Sequence, residues 1–194
     1  MRLRIHRTDG KTGNYFQDDT RRATTLLQRL DARTLFHKGP IVIGVLNPFS
    51  ILNPDEICWM EVETGLTPAT RPTVHLPNLD RVHRLSGRKE YEEILARQWP
   101  LWRRKAQDNP GQFLEALVEL AFRGGEEIYL HVVGRMAETS LSEAIFGKPA
   151  IIATAGPDVT LYINPKTITR ARVYHSSDTV TYPSGILFAE ADDI

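Results

Sequence analysis

ILNPDEI (51–57) and YINPKTI (162–168) share one pattern: two apolar residues, Asn-Pro, two polar residues and an isoleucine. Proline fixes φ and asparagine bonds the local backbone, so Asn-Pro between apolar runs is typical of a turn between strands. The two copies are 111 positions apart. Each follows an aliphatic-Phe-x-Lys segment (35–38 and 145–148) and a proline with an aliphatic run. This ordered series predicts that the chain contains the same structural unit twice.

The surrounding residues extend the predicted unit. Alternating charged and apolar residues at 2–8 predict a strand, and Asp18-Asp19 precedes a helix with apolar residues at helical spacing. Short strands are expected near 40–46, 49–53 and 56–63. We expect the second copy to begin with a strand at 127–135 that, like the first, ends in an apolar residue and histidine. A short helix at 137–147 and another series of strands should follow.

A helical middle segment is predicted between the two copies. Apolar residues at steps of three and four, from Tyr91 to Trp102, indicate one helix, which Pro100 should kink or divide. Asn109 and Pro110 suggest the start of a second helix over 110–123, with Gly124 at its end. We expect at least one of the two helix tryptophans to be buried.

The predicted fold is α+β: two related strand-helix-β-meander units, mostly antiparallel, with a helical pair between them. The expected segments are 1–80 for the first β-rich unit, 81–124 for the helical middle and 125–194 for the second β-rich unit. They could pack as one globular domain.

Composition excludes some classes of function. The chain has 24 basic and 24 acidic residues and a formal net charge of zero, which argues against coating nucleic acid with its whole surface. Its single cysteine, Cys58, cannot form an internal disulfide, and its strand setting predicts a buried, inert thiol. The N-terminal residues lack the apolar core of a secretory signal. We expect a cytoplasmic protein with no membrane span, no metal and no cofactor.

The leading functional interpretation is a non-enzymatic interaction or assembly protein that acts through an apolar helical face or a sheet edge. Its partner would be another protein chain, in a homo-oligomer or a larger complex. A large apolar stripe with nothing obvious to cover it is typical of an interface. The side chains expected to form this surface are Tyr91, Leu95, Trp99 and Trp102.

Two alternatives remain open. Residues 81–105 combine basic side chains with tryptophans, a composition that favours RNA or single-stranded nucleic-acid binding. The basic residues of this alternative are Arg88, Arg97, Arg103, Arg104 and Lys105. The other alternative is a small enzyme or anion-binding protein. It would be centred on His131 and Arg135, with Glu138 beside them at a strand-to-helix turn.

Overall fold

The computed structural model describes residues 1–37, 39–44, 49–65, 79–108, 114–134 and 146–176. In this part of the chain the protein is a mixed fold with a large, mostly antiparallel sheet and two α-helices. The helices are α1 (Thr20–Arg29) and α2 (Arg88–Asp108). The strands are β1 (Arg2–Arg7), β2 (Thr12–Phe16), β3 (Ile41–Gly44), β4 (Phe49–Leu52), β5 (Ile57–Glu63), β6 (Leu79–Arg84), β7 (Leu114–Phe122), β8 (Glu127–Gly134), β9 (Ile151–Thr154), β10 (Val159–Ile163) and β11 (Ile168–His175).

Nine strands form one sheet in the order β11-β7-β8-β6-β9-β10-β5-β1-β2, and β3 and β4 form a separate hairpin. All pairs in the large sheet are antiparallel except β6 with β9. Strands from the three predicted segments hydrogen-bond to one another in this sheet, because β7 pairs with β11 and β10 pairs with β5. The three segments are therefore parts of one hydrogen-bonded sheet.

The large sheet is strongly curled. Four strands separate β5 from β7, which would place them about 24 Å apart in a flat sheet. Yet Trp59 of β5 and Phe122 of β7 have ring centroids only 5.0 Å apart. Their shared face is the concave one, and it holds an apolar core that includes Val118, Leu130 and Leu161.

The convex face carries the two helices at opposite ends. Alternate residues of a strand point to opposite faces, so Leu3 and Met60 lie on the face opposite Trp59 and pack under α1. At the other end, Leu117 and Tyr129 pack under α2. Helix α1 begins as expected, since Asp19 is its N-cap and its carboxylate accepts hydrogen bonds from the backbone N–H groups of the first turn.

The two Asn-Pro turns lie in contact with each other. Each begins a short 3₁₀ turn, and each asparagine Oδ1 accepts a hydrogen bond from the backbone N–H two residues later. Asn164 is fully buried, and its amide nitrogen donates to the carbonyl oxygens of Pro54 and Ile57, each at 3.0 Å. Asn53, by contrast, is exposed. The buried asparagine of the second turn thus ties the loop before β11 to the first turn and the start of β5.

A cluster of charged side chains ties strands together across the concave face. Arg84 of β6 donates a hydrogen bond to Glu61 of β5, although β9 and β10 lie between these two strands in the sheet. Arg4 of β1 donates to the same carboxylate at 3.3 Å. His6 lies 3.4 Å from it and stacks on Trp59 with ring centroids 4.3 Å apart. The close approach of His6, followed by the hydrogen bond and positive charge of Arg84, lowers the pKa of Glu61 to about 2.

The predicted helix over 110–123 is wrong where the structure describes it. Residues 114–122 form β7, which pairs with β8 on one side and β11 on the other. A central strand is buried on both faces, so its sequence is nearly continuously apolar and also satisfies helical spacing. Gly124 and Gly125 belong to the hairpin turn that follows. Gly125 has φ +82°, and a Cβ at Gly124 would lie 2.7 Å from the carbonyl oxygen of Thr8.

Other predictions about the elements had mixed outcomes. The strands expected at 2–8, 127–135 and after Pro149 are confirmed as β1, β8 and β9 to β11. Strand β6 was missed, and α2 runs through Pro100 without being divided. The helix expected at 137–147 falls almost wholly outside the described residues, as do 109–113. No helix in the described ranges is long and apolar enough to cross a membrane.

Replacing Asn164 with alanine should strongly destabilise the fold. The substitution removes two hydrogen bonds to buried carbonyl groups. A buried carbonyl group without a donor lowers the free energy of unfolding by about 1–3 kcal/mol. We expect a loss of about 2–5 kcal/mol in the free energy of unfolding, measured by urea denaturation. The matched control is Asn53→Ala in the exposed copy of the motif, which should cost about 1 kcal/mol. Equal effects of the two substitutions would contradict the bridging role of Asn164.

The Glu61 cluster should make stability depend on acid pH. The folded-state pKa lies below the ordinary value of 4.5, so the carboxylate stabilises the fold above that pH, and this contribution is lost as the pH falls toward 2. The shift corresponds to about 3 kcal/mol. Glu61→Gln should lower the unfolding free energy at neutral pH by a similar amount, and the difference from the parent protein should shrink below about pH 4.

Glu63→Gln is the control for this substitution. Glu63 lies on the same face of β5, but its side chain is 43% exposed. Its only ion pair among the described residues is a long one, with 3.9 Å between its carboxylate and the guanidinium of Arg2. We expect a change below about 0.5 kcal/mol. If the unfolding free energy of Glu61→Gln stays below that of the parent protein by the same amount from neutral to acid pH, the ionised carboxylate does not cause the difference.

Candidate ligand-binding site

The apolar stripe of α2 packs on the sheet of its own chain. Trp102 is 2% exposed and Tyr91 is 4% exposed, which confirms that at least one helix tryptophan is buried. Leu95 and Trp99 are half-buried beside them, and Trp99 lies edge-on to Tyr174 with ring centroids 5.3 Å apart. Of the four side chains expected to form a docking surface, Tyr91 and Trp102 are thus buried within the chain, whereas Leu95 and Trp99 remain partly exposed.

The basic stretch is divided between different elements. Arg88 donates to Tyr129 at 3.0 Å and to Glu127 at 2.8 Å, so its charge is neutralised by a carboxylate. Arg97 is exposed on α2, away from the buried ring of Trp102. The side chains of Arg103, Arg104 and Lys105 lie outside the description. Of the two tryptophans in this stretch, Trp102 is buried and Trp99 is half-buried, whereas nucleic-acid stacking requires exposed rings.

His131 has a partner that the sequence did not reveal. Its Nε2 lies 2.8 Å from Oε1 of Glu115, and the other carboxylate oxygen accepts a hydrogen bond from Nε1 of Trp102 at 3.2 Å. A carboxylate only accepts, so Nε2 of His131 carries the proton in this contact. Arg135 and Glu138, the other expected members of the site, lie outside the described residues.

This pair orients the imidazole of His131, and a second imidazole lies on the neighbouring strand. His83 faces His131 across β6 and β8, and its Nδ1 lies 3.2 Å from the hydroxyl of Thr154. No group of three or more potential metal ligands is found in the described ranges. The thiol of Cys58 is fully buried, as expected, and burial raises its pKa to about 11.

A large cavity lies between α1 and the β3–β4 hairpin. Its volume is about 620 Å³, within the range typical of small-molecule sites. Leu3 and Met60 of the sheet form its floor, Leu26 and Leu30 of α1 one wall, and β3 the other. Ile43 is half-buried against the same apolar cluster. The interior of this cavity is therefore mainly apolar.

Three arginines of α1 border the cavity, and none of the described residues that line it is acidic. Arg22 and Arg29 are seven residues apart, with Thr25 and Leu26 between them at spacings of three and four, so all four lie on one helix face. Arg21 also borders the cavity. None of the ion pairs found among the described residues involves any of these three guanidinium groups.

Sequence reasoning missed this site. Basic residues of an amphipathic helix usually lie on its solvated side, so the arginines of α1 give no sequence signal of a site. The missing information was that β3 and β4 leave the large sheet and form a hairpin beside α1. No local sequence signal separates that arrangement from a continuous meander. One clue was the absence of acidic residues in α1, whose first turn contains none.

No family model matches this chain, and neither does any curated protein or solved structure with which it was compared. The interpretation of the cavity therefore rests on its own geometry and charge.

Trp102→Ala should be strongly destabilising because it leaves a cavity under α2 and removes the hydrogen bond to Glu115. We expect a loss of about 3–5 kcal/mol in the free energy of unfolding. The control is Leu101→Ala, the neighbouring helix residue, which is 48% exposed and should change stability by less than about 0.5 kcal/mol. If both variants unfold at the same urea concentration, α2 does not pack on the sheet as described.

Proposed function

We propose that this protein is a ligand-binding protein that holds a small amphiphile between α1 and the β3–β4 hairpin. The ligand has an apolar body and an anionic head group, either a carboxylate or a phosphate. The apolar cavity of about 620 Å³ accommodates the body, and the arginines of α1 bind the head group.

One observation carries the proposal: among the described residues, three arginines that form no ion pair border an apolar cavity with no acidic residue in its lining. Several arginines of the sheet, by contrast, are paired with carboxylates, as Arg84 is with Glu61 and Arg170 with Glu119. A cationic rim above an apolar interior complements an anionic amphiphile. It disfavours a cationic amphiphile through like-charge repulsion.

The head group would bind to side chains, because the backbone of the helix start is already satisfied. Asp19 accepts hydrogen bonds from the N–H groups of Arg21 and Arg22 at 2.8 Å and 3.0 Å. That carboxylate also counters the positive end of the helix dipole. Binding should therefore depend on the guanidinium groups of Arg22 and Arg29, which share the cavity-facing side of α1.

Titration calorimetry with matched amphiphiles tests this function. Dodecanoate should bind the parent protein below its micellar concentration, and dodecyltrimethylammonium should bind much more weakly. The double substitution Arg22→Gln, Arg29→Gln should weaken dodecanoate binding at least tenfold, since a charged hydrogen bond contributes about 1.5–3 kcal/mol.

Arg33→Gln provides the matched control. Arg33 is also exposed but is paired with Asp31 at 3.1 Å and does not line the cavity. Its substitution should leave dodecanoate affinity unchanged. Equal binding of the two amphiphiles, or equal affinity in the double variant and the Arg33 variant, would contradict the proposed function.

We also propose that the fold consists of two related units. In one, β5 follows an Asn-Pro turn and pairs antiparallel with β1; in the other, β11 follows an Asn-Pro turn and pairs antiparallel with β7. Two hairpins precede the turn in each case: β1–β2 and β3–β4, then β7–β8 and β9–β10. In this proposal the second unit begins at β7, rather than at residue 127 as expected from the sequence. An experimental structure in which β1, β5 and their turn cannot be superposed on β7, β11 and theirs would contradict it.

A further inference from the structure

A second cavity adjoins the first along α1. It has a volume of about 510 Å³ and lies between the start of α1, the end of β2 and the residues Ile43, Gly44 and Ser50 of β3 and β4. Both cavities are lined by Leu3, Arg22, Leu26, Ile43 and Gly44. We call these shared residues the junction of the two cavities.

The two cavities differ in charge. The first is bordered by Arg21, Arg22 and Arg29 without an acidic residue, whereas the second has Asp18 as well as Arg22. Asp18 repels an anion at the far end of the second cavity. The charge distribution therefore favours the head group in the first cavity and leaves the second for an uncharged part of the ligand.

The dimensions indicate an elongated ligand. Helix α1 is about 14 Å long at the helical rise of 1.5 Å per residue. The first cavity borders it from Arg21 to Leu30, and the second overlaps the first at Arg22 and Leu26 and extends past the helix start to Asp18. A compact ligand in the first cavity would therefore leave the second unfilled.

From this arrangement, and on the basis of the function proposed above, we infer that the ligand is a linear alkyl chain with one anionic head group. The head group lies beside Arg29 and Thr25, and the chain passes between Leu26 and Ile43 into the second cavity.

A homologous series of alkyl carboxylates, from octanoate to hexadecanoate, tests the inference by titration calorimetry. Each methylene that becomes buried should raise the affinity about fourfold. The increase should continue while the chain fills the second cavity and then stop. Alkyl phosphates of the same lengths should show the same limit, and their relative affinity identifies the preferred head group.

Substitutions at the junction provide the decisive comparison. Leu26→Trp on the helix and Ile43→Trp on the strand should each close the passage, so that the affinity stops rising at a shorter chain length. Two variants from opposite walls keep the test valid if one of them fails to fold. The control is Ile51→Trp on the hairpin, at a position that is 64% exposed and lines neither cavity. In this variant the affinity should stop rising at the same chain length as in the parent protein.

The outcomes separate the two proposals. If the chain-length limit is the same in both junction variants and the parent, the linear-chain inference is wrong, while dependence on Arg22 and Arg29 still supports the amphiphile site. If affinity does not depend on chain length, the inference is also wrong. If no alkyl carboxylate or phosphate binds at all, both the inference and the proposed function are wrong.

Discussion

The side-chain amide of Asn164 is the contact on which the arrangement of the strands depends. It is fully buried, it accepts the backbone N–H of Lys166 to form its own turn, and it donates twice to the backbone around the other turn. The backbone of Asn164 also donates to Cys58 at 2.9 Å. Because these bonds join the start of β5 to the loop before β11, they fix where the chain passes from one end of the curled sheet to the other. Replacing a buried amide of this kind leaves carbonyl groups without donors, and no apolar residue compensates for them.

The curl gives the two faces of the sheet different roles. The concave face closes on itself, so its apolar side chains bury one another without a covering helix. The convex face needs the helices, and they cover it unequally. Helix α2 contributes the large rings of Tyr91 and Trp102, whereas α1 buries only Ala23 and Leu27 along its length. A helix that buries small and medium side chains leaves space beside it, and that space is the proposed binding site.

Part of this structure was predictable from local sequence. The Asn-Pro turns, the strands on either side of them and the cap at Asp19 all depend on short-range backbone chemistry, which local sequence specifies. The segment containing Leu117 and Val118 was assigned to a helix because a strand buried on both faces has no alternation to reveal it. Strand β6 was missed because LDRVHR follows a proline-rich connector and contains three charged residues. The partner of His131 was not predictable, because Glu115 is brought to it only by the pairing of β7 with β8. The same holds for the cavity, whose walls come from α1, β1, β3 and β5.

We propose that an anionic alkyl ligand occupies the space between α1 and the β3–β4 hairpin, and crystallisation of the protein with dodecanoate would locate it. We expect continuous electron density along α1, with the carboxylate within hydrogen-bond distance of Arg29 or Arg22 and the chain between Leu26 and Ile43. Density at another surface, with α1 packed closely on β3 and no space between them, would contradict it.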